Sequence, residues 1–88
     1  MTRTKLATAS ETLETAAENT DTNGDRLADL AGQLEKLTEA DRGPDHGRLA
    51  RIQTALDEIQ QEVDDETAAT IEDARTEISD YRATVDGV

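Results

Sequence analysis

Five consecutive residues, Asp21-Thr22-Asn23-Gly24-Asp25, put oxygen-bearing side chains at alternate positions, the spacing with which the first half of a calcium loop gathers its ligands. The second half does not follow. Position six, a glycine where the loop turns sharply, is Arg26, and position twelve, a bidentate glutamate, is Gly32; Asp29 at position nine adds one further oxygen. A helix break followed by an aspartate cap accounts for the segment better than a cation does. The single histidine, His46, stands beside Asp45 with no second histidine and no Glu-x-x-His pairing, so it lacks the partners of a metal centre and reads as a solvated loop residue. Ser10 and Ser79 have no neighbouring base, and cysteine is absent, which leaves nucleophilic catalysis without a carrier.

Two charged clusters remain. Glu58, Glu62, Asp64, Asp65 and Glu66 crowd one stretch, with Glu58 and Glu62 four residues apart on one helical face. Acid–base chemistry requires a carboxylate in a desolvated cleft, whereas these positions fall away from the apolar stripe and read as hydrated surface. Arg42, Arg48 and Arg51 gather near His46 and form the one locally basic patch. That patch suits compensation of a helix C-terminus and pairing with Glu39 and Asp45. Nucleic acid is excluded as a partner, because the net field repels phosphate and no aromatic residue is available there for stacking.

The elements that must position these residues are helical. Leu6, Ala9, Leu13 and Ala16, then Leu27, Leu30, Leu34 and Leu37, recur in steps of three and four, the a and d positions of heptads. Thr20 and Asn23 interrupt the stripe, and Asn-Gly is a strong turn dipeptide, yet the apolar phase survives because eleven residues are close to three turns. A kink or short break is expected near 20–25. The stripe continues through Leu49, Ile52, Leu56, Ile59 and Val63, slips by one step past Glu66 and Thr70, and resumes at Ile71, Ala74, Ile78, Tyr81 and Val85. No glycine or proline lies between Arg48 and Asp86, so the slip reads as a stutter inside one long helix, with Asp64-Asp65 as its weakest point. Gly43-Pro44 and Gly47 mark a turn at 41–47.

The expected fold is therefore all-α, one domain over residues 1–88, with three helical segments at about 4–22, 25–41 and 45–84. They form an elongated antiparallel hairpin or bundle whose arms span roughly 55–60 Å at 1.5 Å per residue. The alternative bends sharply at Gly24 into a compact three-helix bundle with a protruding long helix.

Composition adds a constraint. Leu, Ile and Val occupy only fifteen of 88 positions, there is one aromatic residue, and 21 acids against nine bases give a net charge of −12. Such a chain is short of core and repels itself at low ionic strength. At about 1 M salt the Debye length falls to about 3 Å and that repulsion vanishes beyond contact. Asp slightly exceeds Glu and Arg exceeds Lys, as suits a cytosolic protein of concentrated salt. No apolar run approaches a membrane span, and Met1-Thr2-Arg3-Thr4-Lys5 is not followed by the apolar region of a signal peptide, so the expected address is the cytoplasm.

The second half, Gly47-Arg48-Leu49 with Ile52, Leu56 and Ile59, then Ile71, Ala74-Arg75, Ile78 and Tyr81-Arg82, resembles the short acidic helical proteins of haloarchaea that have no assigned function. The resemblance implies a habitat and a helical fold, and supplies no substrate, cofactor or catalytic residue.

The function first expected is a non-enzymatic scaffold that self-associates into a homo-oligomer through its stripe, with Leu27, Leu30, Leu34, Leu37, Leu49, Ile52, Leu56, Ile59, Ile71, Ile78 and Tyr81 as the interaction residues and no cofactor, metal or membrane. The alternative is an acidic regulatory module that docks a basic protein partner. A metal-binding protein is the remote third reading.

Overall fold

A computed structural model describes residues 3–39 and 46–84. Among them are four helices and no strand: α1 (Arg3–Asn19), α2 (Gly24–Glu39), α3 (His46–Gln60) and α4 (Asp65–Thr84). The turn expected at 41–47 falls largely on residues outside those described.

Each helix carries one apolar line. Leu6, Ala9, Leu13 and Ala16 on α1, Leu27, Leu30, Ala31 and Leu34 on α2, Leu49, Ile52, Leu56 and Ile59 on α3, and Ile71, Ala74, Ile78 and Tyr81 on α4 are all buried and form one cluster. The four lines cover each other, because a helical stripe in water must meet another helix. The α1 helix is the hub, packed against α2 on one side and α4 on the other, while α4 also packs on α3. Small side chains set the closest approach: Ser10, buried between α1 and α2, donates its hydroxyl to the Ala31 carbonyl at 2.9 Å. A larger residue at position 10 would push the two backbones apart.

Direction follows from the cross-links. The Asn23 amide donates to the Glu62 carboxylate at 3.0 Å, which sets the turn after α1 beside the turn before α4. Thr12 on α1 donates to Glu77 on α4 at 3.3 Å, and Arg26 near the start of α2 pairs with Glu58 near the end of α3 at 3.6 Å. The helices therefore alternate up and down, with both hairpin turns at one end of the bundle. The molecule measures 37 × 19 × 19 Å.

Three expectations need correction. The long helix 45–84 is two helices, α3 and α4, and the molecule is a compact bundle in place of an elongated hairpin with 55–60 Å arms. The protruding long helix of the alternative is likewise absent from the described residues. The cause is a cap made without glycine or proline. Asp64 accepts the Thr67 hydroxyl at 2.6 Å and the Thr67 amide at 3.4 Å, its own carbonyl accepts the Ala68 amide at 2.9 Å, and Asp65 and Glu66 fill the first turn of α4. An aspartate at the N-cap satisfies orphan amides, and the acids behind it meet the positive end of the helix dipole. On the other side, α3 finishes in tighter bonds from Gln61 to Glu58 and from Glu62 to Ile59. What looked like a stutter at Glu66 and Thr70 is the start of a new helix.

The break near Asn23 is present, but the segments it joins fold back on each other. Asn23 adopts φ 62°, a left-handed conformation that asparagine tolerates at modest cost, and its carbonyl accepts the Leu27 amide at 2.9 Å to open α2. Gly24 sits close to α1: a Cβ there would stand 3.2 Å from the Ala17 carbonyl, a tight contact that the backbone must yield by a few tenths of an ångström to accept. Gly32, in the middle of α2, faces open space.

The two glycines should consequently respond in opposite directions. Gly32→Ala is expected to raise unfolding stability by about 0.5–1 kcal/mol through helix propensity alone. Gly24→Ala is expected to lower it, because the α1–α2 turn must open. Thermal melts of the two variants against the parent check both signs.

Candidate interaction surface

The calcium-like segment forms the α1–α2 turn. Thr20 and Thr22 close a local turn, the Thr20 hydroxyl donating to the Thr22 carbonyl at 2.8 Å and accepting the Thr22 amide at 3.2 Å. Asn23 spends its amide on Glu62, and Asp21 and Asp25 face solvent. Among the described residues, no three Asp, Glu, His or Cys side chains are placed to hold a metal ion. Arg48 and Arg51 are exposed on α3, whereas Arg42 lies outside the described residues.

The residues expected to form an interaction stripe lie inside the chain. Leu27, Leu34, Leu49, Leu56, Ile59, Ile71 and Ile78 have no exposed surface, Ile52 and Tyr81 almost none, Leu30 is buried, and Leu37 is partly buried against the same cluster. They meet each other across one chain, so covering the stripe does not require a second copy.

What remains for chemistry is polar. One depression of about 320 Å³ lies between α1 and α2, lined by Ala7, Ser10, Glu11, Glu14, Glu35 and Thr38. Its three glutamates are exposed, and its one buried hydroxyl, Ser10, is held by Ala31. Exposed carboxylates lack the desolvation that tunes a catalytic acid or base. Between α3 and α4, Arg75 donates to Gln53 at 3.0 Å, to Gln60 at 2.6 Å and to Asp57 at 3.3 Å. Gln53 returns a bond to the Arg75 carbonyl at 3.1 Å, and Gln60 donates to the Ala68 carbonyl and to Glu72, each at 3.0 Å. These reciprocal bonds fix the register of the second hairpin, and they leave the guanidinium committed to structure.

The charge map is the feature that sequence order showed only in part. Folding brings residues 12–31 and 54–75 together as the half of the bundle that holds both hairpin turns. These stretches carry 13 of the 21 acids, all exposed, and only Arg26 and Arg75 among the nine bases, so −11 of the −12 net charge sits there. The described residues of the other half carry five acids and six bases. Helix dipoles explain only part of this arrangement. Asp25, Asp65 and Glu66 lie at N-terminal first turns, where a negative charge is favourable. Neither α1 nor α3, whose C-terminal ends also point here, has a basic residue in its last turn, and Glu18, Asp57 and Glu58 place negative charge on negative dipole ends. Arg26 offsets Glu58 across an exposed pair worth little in water.

Two carboxyls are displaced from their ordinary range. The Thr67 hydroxyl, the largest influence, holds Asp64 below it; burial opposes, and the backbone amides of Thr67, Asp64 and Glu66 add to the lowering. Burial between α1 and α4 pushes Glu77 above it, with Asp73 and Asp80 adding to the rise and the Thr12 hydroxyl and Lys5 opposing it.

The chain belongs to a family of unknown function, DUF7553, whose profile matches residues 1–84. No curated protein and no solved structure matches it. No helix among the described residues is long and apolar enough to cross a membrane.

The two displaced carboxyls act on stability with opposite signs. Asp64 binds its proton less readily folded than unfolded, so its contribution is present above the ordinary aspartate range and is lost as pH falls through the lowered folded value. Glu77 binds its proton more readily folded, so its contribution is present below the ordinary glutamate range and is lost as pH rises through the raised value. Glu77→Gln, which keeps an acceptor for Thr12, is therefore expected to melt higher than the parent at neutral pH and to lose that advantage in acid. Melting curves from neutral pH down into the glutamate range check this.

Proposed function

We propose that this member of DUF7553 is a cytoplasmic, non-enzymatic interaction module whose acidic hairpin-turn end docks a basic segment of a partner protein. The observation that carries the reading is the segregation of charge, with −11 of −12 in one half of a bundle whose apolar stripe is already covered. Acidic residues that serve only to hydrate a surface have no reason to collect at one end. Here they collect where they oppose two helix dipoles, at a cost to stability that a cationic partner would remove. Lysine- or arginine-rich segments supply that chemistry, and the Arg26–Glu58 pair is exposed enough to open for an incoming guanidinium.

The acidic excess also supports a setting of concentrated salt, as the resemblance to haloarchaeal proteins implies. Screening to about 3 Å at 1 M would confine recognition there to ion pairs in direct contact, with long-range steering absent. Self-association is the weaker reading, since the buried core of the described residues is already covered within one chain.

Calorimetric titration with an unstructured lysine-rich peptide at about 0.1 M salt tests the proposal. The triple variant Asp21→Asn, Asp65→Asn, Glu66→Gln is expected to weaken binding by about tenfold, at roughly 0.5 kcal/mol for each exposed pair removed. The charge-matched variant Glu11→Gln, Glu35→Gln, Asp80→Asn, drawn from the other half, is expected to bind like the parent. Equal weakening by both triples would reduce the effect to overall charge and overturn the reading.

A further inference from the structure

The second hairpin of the bundle follows the first position by position. Leu6, Ala9, Leu13 and Ala16 of α1 recur 43 residues later as Leu49, Ile52, Leu56 and Ile59 of α3. Leu27, Leu30 and Leu34 of α2 recur 44 residues later as Ile71, Ala74 and Ile78 of α4, the second hairpin carrying one residue more around its turn. Stripes that step by three and four can be overlaid in some register whatever their origin, so spacing alone decides nothing. The hydrogen bonds add what spacing lacks. In the first hairpin the Ser10 side chain donates to the Ala31 carbonyl at 2.9 Å, and in the second the Gln53 side chain donates to the Arg75 carbonyl at 3.1 Å. Donor and acceptor are displaced by the same 43 and 44 residues, so one helix-to-helix bond is made twice at equivalent places. Around that donor, Lys5 and Arg48 keep a cation, Ala7 and Ala50 a methyl group, and Glu14 and Asp57 a carboxylate.

Both hairpin turns lie at one end of the bundle, so an approximate two-fold axis parallel to the helices exchanges α1 with α3 and α2 with α4. We propose that the chain is two versions of one helical hairpin joined in tandem, and that the buried face of each is a recognition surface whose fitting partner is a hairpin with large side chains where it has small ones.

The differences between equivalent positions carry the second half of this inference. Ala9 and Ala16 on α1 answer to Ile52 and Ile59 on α3, and Ala74 on α4 answers to Leu30 on α2; all six are buried. The small residues thus gather on α1 and α4, which lie close together, and the large ones on α2 and α3, which keep further apart. A hairpin paired with a copy of itself would meet in an isologous interface, like against like. Two first hairpins would leave a void between their alanines, and two second hairpins would crowd isoleucine against isoleucine. Pairing one with the other places an isoleucine across the axis from each of these alanines. Volume therefore selects the unlike hairpin, and the poor fit of like pairs favours a core closed within one chain.

Thermal melts of the full chain test this through the layer that holds Ala9 and Ile52. Ala9→Ile alone overfills that layer and Ile52→Ala alone empties it, and each is expected to lower the midpoint by about 5–20 °C. The matched pair Ala9→Ile, Ile52→Ala moves the volume across the axis and is expected to melt above both of its single variants. The mismatched pair Ala9→Ile, Ile59→Ala makes the same two changes in layers roughly 10 Å apart along the bundle, and is expected to melt below both of its singles. Where Ile52→Ala leaves no folded state to melt, Ala9→Val with Ile52→Val against Ala9→Val with Ile59→Val makes the same comparison at smaller cost. Losses that merely add in the matched pair, or an equal recovery in the mismatched one, would overturn the inference. Neither result bears on whether the acidic end binds a basic peptide.

Discussion

Everything in this fold depends on four short apolar lines covering each other. Fifteen Leu, Ile and Val residues are few for 88 positions, and a chain with so little core cannot leave any of its stripe exposed. Pairing α1 with both α2 and α4, and α4 with α3, closes the lines inside a bundle 37 Å long. Alanine and serine on α1 make that economy possible, because Ala9, Ser10 and Ala16 let neighbouring helices approach where leucine would hold them off. The polar bonds do a different job. Arg75 with its two glutamines fixes the register of the second hairpin, and Asp64 decides where that hairpin turns.

Closure of the core also changes the meaning of the surface. With the stripe of the described residues covered within one chain, the charge distribution becomes a property that distinguishes one part of the molecule from another. The hairpin-turn end concentrates the acids, turns two helix C-termini into unfavourable neighbours for them, and is held by exposed contacts.

The core was readable in advance because helical periodicity speaks directly about burial. Leu6, Ala9, Leu13 and Ala16, and their counterparts on the later helices, occupy the positions that steps of three and four assign them, and the break near Asn23 announced itself through Asn-Gly. The second break did not, since Gln61-Glu62-Val63-Asp64 contains neither glycine nor proline. Its signal was present in another form: an aspartate three residues before Thr67, two more acids behind it, and a shift of apolar phase that a continuous helix must absorb but a fresh one need not. Without the Asp64 cap the phase shift reads as a stutter in one helix, and with it the chain makes two helices and a bundle. The charged end was legible only in part, because the crowded acids from Glu58 to Glu66 stand out in sequence order, whereas the acids of residues 12–31 are spread out and join them as one surface only when the hairpins are set side by side.

Sedimentation combined with small-angle scattering, in molar salt at micromolar concentration, addresses the central claim that one chain closes its own core. The account predicts a single species of 9.5 kDa with a radius of gyration near 12.2 Å, apart from a hydration layer. A dimer with a longest dimension of roughly 55–60 Å, the length of two extended arms at 1.5 Å per residue, would contradict it and return the apolar stripe to the role of an intermolecular seam.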